Sequence, residues 1–318
     1  MARAVATLLA LALALAPAAA PRLHRDDRGV AAYDVSWNTS SPEDTRTGPT
    51  GNYACRDSTT YADAMPLGNG NLVALAWANA SAGGVSCYVR KADAMNSGTG
   101  PITLALLEIT LSPNPFHAGG YFNQTLHLQT ATVSVLAGGT GYADHEVALS
   151  VRVDANHNLL RVSAVANAGK AYSITARLAP VRPLSPPGAE LVQDVDVLLG
   201  AGELSGLAPL RDAVVQFHRN TGLEHNKTTN VTSSAVPLVE SVLTKQGTPE
   251  LVPLVTDWWT HSQSGLALRG FSAGAGASPR PLQRSSDAPD ALVSAERSER
   301  FELAVHALTM RTASASLW

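Results

Sequence analysis

The feature that most constrains the fold is a series of short segments in which apolar and polar residues alternate. The clearest one runs from His145 to Val153, where Val147, Leu149, Val151 and Val153 occupy every second position. Successive side chains of a β-strand point to opposite faces, so a period of two residues places these four side chains on one face. The segment therefore predicts a strand that buries one face and exposes the other.

Similar segments recur along the chain, separated by residues that favour turns. They are Leu72–Trp77, Val85–Arg90, Thr103–Leu111, Phe122–Leu128, Thr132–Ala137, Glu146–Val153, Leu159–Val165, Ala171–Leu178 and Phe301–Met310. Only Leu238–Gln246 has helical punctuation, with Pro237 in its first turn and Gly247 after its end. Pro180–Gly188 and Gly270–Pro281 are rich in Pro, Gly and Ser and are predicted loops. The pattern predicts an all-β fold, a large antiparallel β-sandwich with few short helices.

The N-terminus has the pattern of a secretory signal peptide. One positive charge precedes the apolar run Ala4–Ala16, and small residues follow. The run is shorter than the roughly twenty residues that span a bilayer, and no later run reaches that length. We expect a signal peptide at 1–20, a polar leader at 21–30 and one sandwich domain at 31–318. The mature protein is then secreted and is not a membrane protein.

The chain has two cysteines, Cys55 and Cys87. In the oxidising secretory pathway an isolated pair usually forms a disulfide, and we expect that bond here. In the chain-entropy account, a loop of this length would stabilise the fold by about 3–4 kcal/mol. The alternative is a pair of buried free thiols, because spacing alone does not establish the geometry of a disulfide.

Five asparagines begin acceptor sequons for N-glycosylation: Asn38, Asn79, Asn123, Asn226 and Asn230. We expect them on surface turns or loops, with glycans attached. The net charge is −3, and Lys and Arg are scattered among Asp and Glu. Because nucleic-acid binding requires a basic stripe, nucleic acid is not an expected partner.

Two segments imitate known catalytic or binding motifs. Gly270–Gly274 matches the pattern of a nucleophile elbow around Ser272, but no helix follows it, so we interpret it as a small-residue loop. Asp154–Asn158 resembles the start of a calcium loop, but Leu159 and Val165 replace the required Gly and Glu. A hairpin turn explains the second segment.

Other polar and aromatic residues do not form a recognisable site by spacing. The histidines lack the paired spacing of zinc ligands, and the acids Asp34, Asp63, Asp93 and Asp257 show no spacing that identifies a glycosidase pair. Trp258 and Trp259 are adjacent, and either they form an aromatic platform for a sugar ring or they pack in the core. We therefore assign no catalytic residue, no cofactor and no metal.

One motif and several ordered matches carry a family resemblance. Pro66-Leu67-Gly68-Asn69-Gly70 resembles the signature near the start of glycoside hydrolase family 95, the α-L-fucosidase type. The chain also resembles the N-terminal domain of the related family of unknown function numbered 5703. This resemblance rests on Tyr33–Asn38, Pro66–Trp77, Tyr88–Ala94, Ser112–Phe116, Gln124–Leu126 and Phe217–Asn220, in that order.

The resemblance implies a β-supersandwich that precedes a catalytic helical barrel. No residue here matches the catalytic acids of that barrel, so we expect a non-catalytic fragment that lacks its catalytic domain. The resemblance places Pro66, Gly68, Asn69, Gly70, Lys91 and Asp93 at a domain interface or at the rim of a sugar-binding cleft. The expected partners are a barrel in cis and a carbohydrate.

Two alternatives remain open at this stage. One is a self-sufficient secreted carbohydrate-binding or structural module. The other is a small hydrolase that uses Ser272 or an unrecognised carboxylate, which would need a concave pocket with converging titratable groups.

Overall fold

A computed structural model describes the chain in segments: residues 30, 33–37, 64–95, 101–167, 169–182, 184, 195–200, 204, 210, 212–220, 223–226, 231–234, 244–245 and 262–311. The predicted signal peptide and all of the predicted leader except Val30 lie outside these residues. Cys55, Asn38, Asn230, Trp258 and Trp259 also lie outside them.

The described residues form strands β1 to β19. In chain order they are Val35–Trp37, Met65–Gly68, Leu72–Asn79, Gly84–Met95, Pro101–Ser112, Phe122–His127, Thr132–Ala137, Val147–Val153, Leu159–Ala166, Ser173–Ala179, Val195–Leu198, Val214–Arg219, Leu223–Asn226, Val231–Ser234, Ser262–Ala273, Arg280–Pro281, Gln283–Arg284, Ala291–Val293 and Arg300–Arg311. Thr244 and Lys245, the only described residues of the predicted helix Leu238–Gln246, are helical.

The strands form two large antiparallel sheets. The ten-stranded sheet has the order β1-β6-β7-β8-β9-β19-β15-β12-β11, with β16 paired to β15. The seven-stranded sheet has the order β17-β18-β10-β5-β4-β3-β2, and β13 pairs with β14 alone. The predicted all-β antiparallel sandwich is confirmed.

The core lies between the inner faces of the two large sheets. The alternating residues Val147, Leu149, Val151 and Val153 are buried in one cluster with apolar residues of the opposite sheet. The intervening residues of β8 are more exposed, as a period of two requires. Burial of one face per strand is therefore the physical reason for the pattern in the sequence.

The predicted loop Gly270–Pro281 is wrong at both ends, because its first four residues belong to β15 and its last two, Arg280–Pro281, form β16. Residues up to Ala273 belong to β15, which pairs with β19 along its whole length. Small residues are needed there because a Cβ at Gly270 would lie 2.5 Å from a methyl carbon of Leu303. Ser272 is buried in this strand and faces Phe301, so the interpretation of its surroundings as a loop is also corrected.

The predicted disulfide between Cys55 and Cys87 stays a prediction, because only Cys87 lies among the described residues, where it is a free thiol. Cys87 lies in β4 between Ala76 and Leu107 of the neighbouring strands, and it is fully buried in the apolar core. Such a position has neighbours on all sides, and burial raises the pKa of the thiol to about 12. Its expected partner, Cys55, lies outside the described residues.

The described sequons lie partly where they were expected. Asn79 ends β3, and its side-chain oxygen Oδ1 accepts hydrogen bonds from Ser81 and Ala82 in the following turn. Asn123 lies within β6, so the expectation of a turn or loop is wrong for it, and Asn226 is the last residue of β13, as Asn79 is of β3. Within the described part of the chain, no helix is long and apolar enough to cross a membrane.

Candidate functional site

At one end of the sandwich the inner faces change from apolar to polar. On the ten-stranded sheet, Asp196 of β11, His218 of β12, Ser264 of β15 and Thr309 of β19 lie opposite one another in register. Lys91 of β4 is the corresponding buried polar residue of the seven-stranded sheet. Together with Asp93, these residues form what we call the polar end.

Lys91 and Asp93 form the first part of the polar end. The side chain of Lys91 is only 4% exposed, whereas that of Asp93 is 45% exposed. The Lys91 ammonium group forms an ion pair with Asp93 and donates to Asn71 Oδ1 at 3.3 Å. Burying an ammonium group is costly unless it is paired, so these two acceptors explain how Lys91 is tolerated in the interior.

Asp93 also connects the two sheets. The Thr309 hydroxyl donates to Asp93 Oδ1 at 3.0 Å, and it lies 3.1 Å from the Ser264 hydroxyl. Because the Thr309 proton is used by Asp93, Ser264 donates to Thr309. A directed chain of hydrogen bonds therefore ends on a carboxylate that is half open to solvent.

The second part of the polar end is a buried network around Asp196. Arg182 Nε lies 3.0 Å from Asp196 Oδ1, and Arg182 Nη2 donates to the Thr103 carbonyl at 2.9 Å. Gln216 Nε2 donates to the Leu104 carbonyl at 3.2 Å. Since both carbonyls belong to β5, the network joins β11 and β12 to the seven-stranded sheet.

His218 lies within this network. Its Nδ1 atom is 3.1 Å from both Asp196 Oδ1 and Arg182 Nε, and its Nε2 atom is 2.9 Å from Asn220 Oδ1. Because the Asn220 side-chain oxygen can only accept, the Nε2–H group of His218 donates to it. His218 is 2% exposed and Asp196 is 0% exposed, so the pair has no open side for a substrate.

The row Asp196, His218 and Ser264 contains the residue types of a nucleophilic triad. The hydrogen bonds do not connect them as a triad requires, because His218 Nε2 contacts Asn220 and Ser264 bonds to Thr309. This arrangement stabilises the contact between the sheets and does not activate Ser264.

The motif residues Gly68–Asn71 also have a structural role. Asn69 Oδ1 accepts from the backbone of Asn71 and Leu72 at 3.0 and 2.8 Å, which closes the turn between β2 and β3. Asn69 Nδ2 donates to the carbonyls of Asp154 and His157 at 2.9 and 3.0 Å. Because those carbonyls lie in the β8–β9 hairpin of the other sheet, Asn69 joins the two sheets.

Two other motif residues, one in the turn and one in β2, suit the backbone at their positions. Gly70 has φ +89°, and a Cβ there would meet no atom within 4 Å, so its glycine is favoured by the backbone conformation and not by lack of space. Pro66 lies in β2, the edge strand of its sheet, where a missing N–H group is tolerated.

The structure brings most of the predicted contact residues together. Leu72 lies opposite Lys91, and the Ala92 amide donates to the Asn71 carbonyl at 2.7 Å. The turn after β2 and the pair Lys91 and Asp93 are therefore adjacent. Trp258 and Trp259 lie outside the described residues.

Sequence reasoning missed the buried network. The signal was present in β12, where Gln216 and His218 share the inner face with Val214 and interrupt an apolar pattern. Its partners Arg182 and Asp196 are distant in sequence and were not identified without the strand register.

The motif-like segments Asp154–Asn158 and Gly270–Gly274 do not form the sites they imitate. Asp154 Oδ1 accepts from the backbone of Asn156 and His157, which is the hydrogen bonding of a turn and confirms the predicted hairpin. Ser272 lies within a continuous strand and not at a strand-to-helix turn. Among the described residues, no group of three or more His, Cys, Asp or Glu side chains could hold a metal ion.

The carboxylate of Asp34 serves a local role. Its Oδ1 atom accepts from the Leu128 amide at 2.9 Å, and its Oδ2 atom lies 3.0 Å from His127 Nδ1. These bonds, led by that from the Leu128 amide, lower the pKa of Asp34. Asp63 and Asp257 lie outside the described residues.

Comparison with known proteins assigns the chain to a family. The N-terminal part of the family described as "Domain of unknown function (DUF5703)" matches residues 55–236, more than half of the 318-residue chain. The matched stretch contains the Gly68–Asn71 turn, Lys91, Asp93 and the network around Asp196. No curated protein matches the chain. The chain therefore belongs to the DUF5703 family, through its N-terminal domain.

Proposed function

We propose that this chain is the non-catalytic N-terminal β-sandwich domain of a secreted glycoside-hydrolase-like protein of the α-L-fucosidase type. In this proposal a helical-barrel catalytic domain, carried in cis, docks against the polar end. The observation that carries the proposal is the geometry of Asp93, a half-exposed carboxylate fixed by Lys91 of its own sheet and Thr309 of the other.

The arrangement of Asp93 suits a contact with a polar group from outside the domain. Its side chain is already held in place, so binding requires little further loss of side-chain freedom. A carboxylate accepts strong hydrogen bonds from Arg, Lys or sugar hydroxyl groups. Asp93 is therefore suited to contact a partner domain, or a sugar held at its rim.

The family resemblance supports the choice of partner. The motif Pro66–Gly70 resembles the signature of glycoside hydrolase family 95, and its turn lies beside Lys91. In that family the resemblance implies that the catalytic acids belong to the barrel and not to the sandwich. The sandwich would then shape and support the cleft without taking part in bond cleavage.

Secretion forms a second part of the proposal. It is supported by the signal-like pattern at 1–20 and by the five sequons. The test is expression in a secretory cell line, N-terminal sequencing of the product and treatment with a peptide N-glycosidase. We expect cleavage near residue 20 and a loss of mass on deglycosylation; an uncleaved intracellular product would contradict secretion.

The docking experiment begins by reading the transcript beyond the codon for Trp318. We expect an open frame that encodes a helical domain, and a stop codon there would contradict the proposal. The helical domain is then produced separately and its affinity for the sandwich is measured by calorimetry. Asp93→Asn should weaken binding about tenfold or more, because a charge-assisted contact is lost.

The matched control is Asp287→Asn, which removes an equal charge from an exposed bend between β17 and β18. It should bind as the unmodified chain does. Equal effects of the two substitutions, or no effect of Asp93→Asn, would refute docking at the polar end. Thermal unfolding of each variant distinguishes loss of binding from loss of folding.

A further inference from the structure

The outer face of the ten-stranded sheet has an ordered polar surface that is separate from the polar end. Its residues alternate with core residues along β7, β8, β9 and β19, and they are half-buried or exposed over most of this area. Near β12 the same face is covered, because Leu204 packs there against Val215 and Ala267. The open area thus extends from β1 to the Arg269 end of β15.

One cross-strand row of this face consists mainly of hydroxyl side chains. In register from β1 to β15 the row is Ser36, Thr125, Ser134, Ser150, Ser163, Glu302 and Phe271. Ser36 and Thr125 are 2.8 Å apart, and Ser163 donates to Ser150 at 3.3 Å. The row ends at Phe271, whose ring is partly open to solvent.

The neighbouring row is cationic. In register it includes Arg152 of β8, Arg161 of β9, Ala304 of β19 and Arg269 of β15. With strands about 4.8 Å apart, the Cα atoms of Arg161 and Arg269 are separated by roughly 10 Å. The small side chain of Ala304 lies between them. His306 follows two residues later on β19 and points to the same face.

The charges of this row are poorly compensated. Arg152 and Arg161 lie directly opposite each other, an arrangement of like charges that destabilises a sheet. Arg161 has a distant ion pair with Asp154 at 3.8 Å, and among the described residues neither Arg152 nor Arg269 has an ion-pair partner. Burial, the charge of Arg269 and that of Arg161 lower the pKa of His306, which agrees with uncompensated positive charge at this position.

We infer that this outer face binds an anionic polysaccharide, with sulfate or carboxylate groups on the arginine row and sugar hydroxyl groups on the adjacent hydroxyl row. The arginines provide planar donors for the anionic groups, and the serines of the hydroxyl row exchange hydrogen bonds with hydroxyl groups. Phe271 offers an apolar surface for a sugar ring at the end of the row. This inference does not depend on docking at the polar end, because the two surfaces differ.

Other polyanions fit the face less well. A nucleic acid gains affinity from many phosphate contacts, whereas this row offers three arginines beside Glu302, on a chain with a net charge of −3. An anionic membrane is bound by clusters of roughly four to eight basic residues, or by inserted apolar groups. Hydroxyl side chains in an extended row favour the polysaccharide.

The test measures binding of the whole chain to immobilised dextran sulfate and polygalacturonate, with neutral dextran as the reference. We expect binding to at least one of the charged polymers and none to neutral dextran. Binding to dextran sulfate alone assigns sulfate as the recognised group, and binding to polygalacturonate alone assigns carboxylate. If the chain binds neither charged polymer, the inference is overturned.

Variants locate the site on the sheet. Arg161→Gln and Arg269→Gln should each weaken binding about tenfold, since each removes a charge-assisted contact. The matched control Arg297→Gln removes an equal charge from an exposed residue between β18 and β19 and should have little effect. Three results would each contradict a polysaccharide site. They are an equal loss of binding in the control, equally tight binding to duplex DNA, and a dimer of this chain that Arg161→Gln dissociates.

Discussion

The link made by Asn69 between the two sheets predicts a specific loss of stability. Asn69→Asp retains the oxygen that accepts from Asn71 and Leu72 and removes the amide that donates to the β8–β9 hairpin. Asn69→Ala removes all four hydrogen bonds. The difference between the two variants separates closure of the turn from the link between the sheets.

The magnitude follows from the number and exposure of these bonds. A net hydrogen bond contributes about 0.5–1.5 kcal/mol. The bond to the Asp154 carbonyl is partly buried and that to the His157 carbonyl is exposed, so the lower half of that range applies. We expect Asn69→Asp to lower the free energy of unfolding by about 1–2 kcal/mol and Asn69→Ala by about 2–4 kcal/mol.

The assay is equilibrium unfolding in urea, followed by fluorescence and by far-UV circular dichroism. Asn156→Asp is the matched control, because it makes the same Asn-to-Asp change at an exposed side chain of the β8–β9 hairpin. It should change stability by less than about 0.5 kcal/mol. If Asn69→Asp is as stable as the control while Asn69→Ala is not, the link between the sheets contributes nothing and the reasoning is refuted.

Three further predictions concern the thiol, a histidine and a glycine. Cys87 should resist alkylation at pH 8 in the native chain, because its pKa is raised to about 12, and should react in urea without reductant; lack of reaction in urea would instead support a disulfide with Cys55. The pKa of His306 is held below 6.5, so the unfolded chain binds a proton at higher pH, and stability should fall as the pH decreases below 6.5. Unfolding at several pH values with and without His306→Gln tests this, and an unchanged pH dependence would contradict it. Gly84→Ala should prevent folding, because its Cβ would lie 1.7 Å from a backbone oxygen of β5, whereas Gly274→Ala meets nothing closer than 4.0 Å; circular dichroism distinguishes the two.

Much of the fold could be predicted from local pattern. The strands β7 and β8 were predicted almost to the residue, because each buries every second side chain and so shows the alternation clearly. β15 was not predicted, and one reason is that Gly270 and its small neighbours resemble a loop. Its strand conformation depends on pairing with β19 on one side and β12 on the other, which only the sheet reveals.

The candidate site was predicted in part. The family resemblance led to Asn69, Lys91 and Asp93, which the structure places in and beside the turn between β2 and β3. The contact of Thr309 with Asp93 spans 216 positions, and such a pairing depends on strand register and not on local sequence. The cross-strand rows of the outer face were missed for the same reason.

The most direct test of the central claim is α-L-fucoside hydrolysis by two products: the 318-residue chain and the protein encoded by the transcript read beyond Trp318. The account predicts turnover by the longer protein and none by the chain alone. Turnover by the chain alone, or its absence in the longer protein, would contradict a non-catalytic sandwich domain of an α-L-fucosidase-like protein.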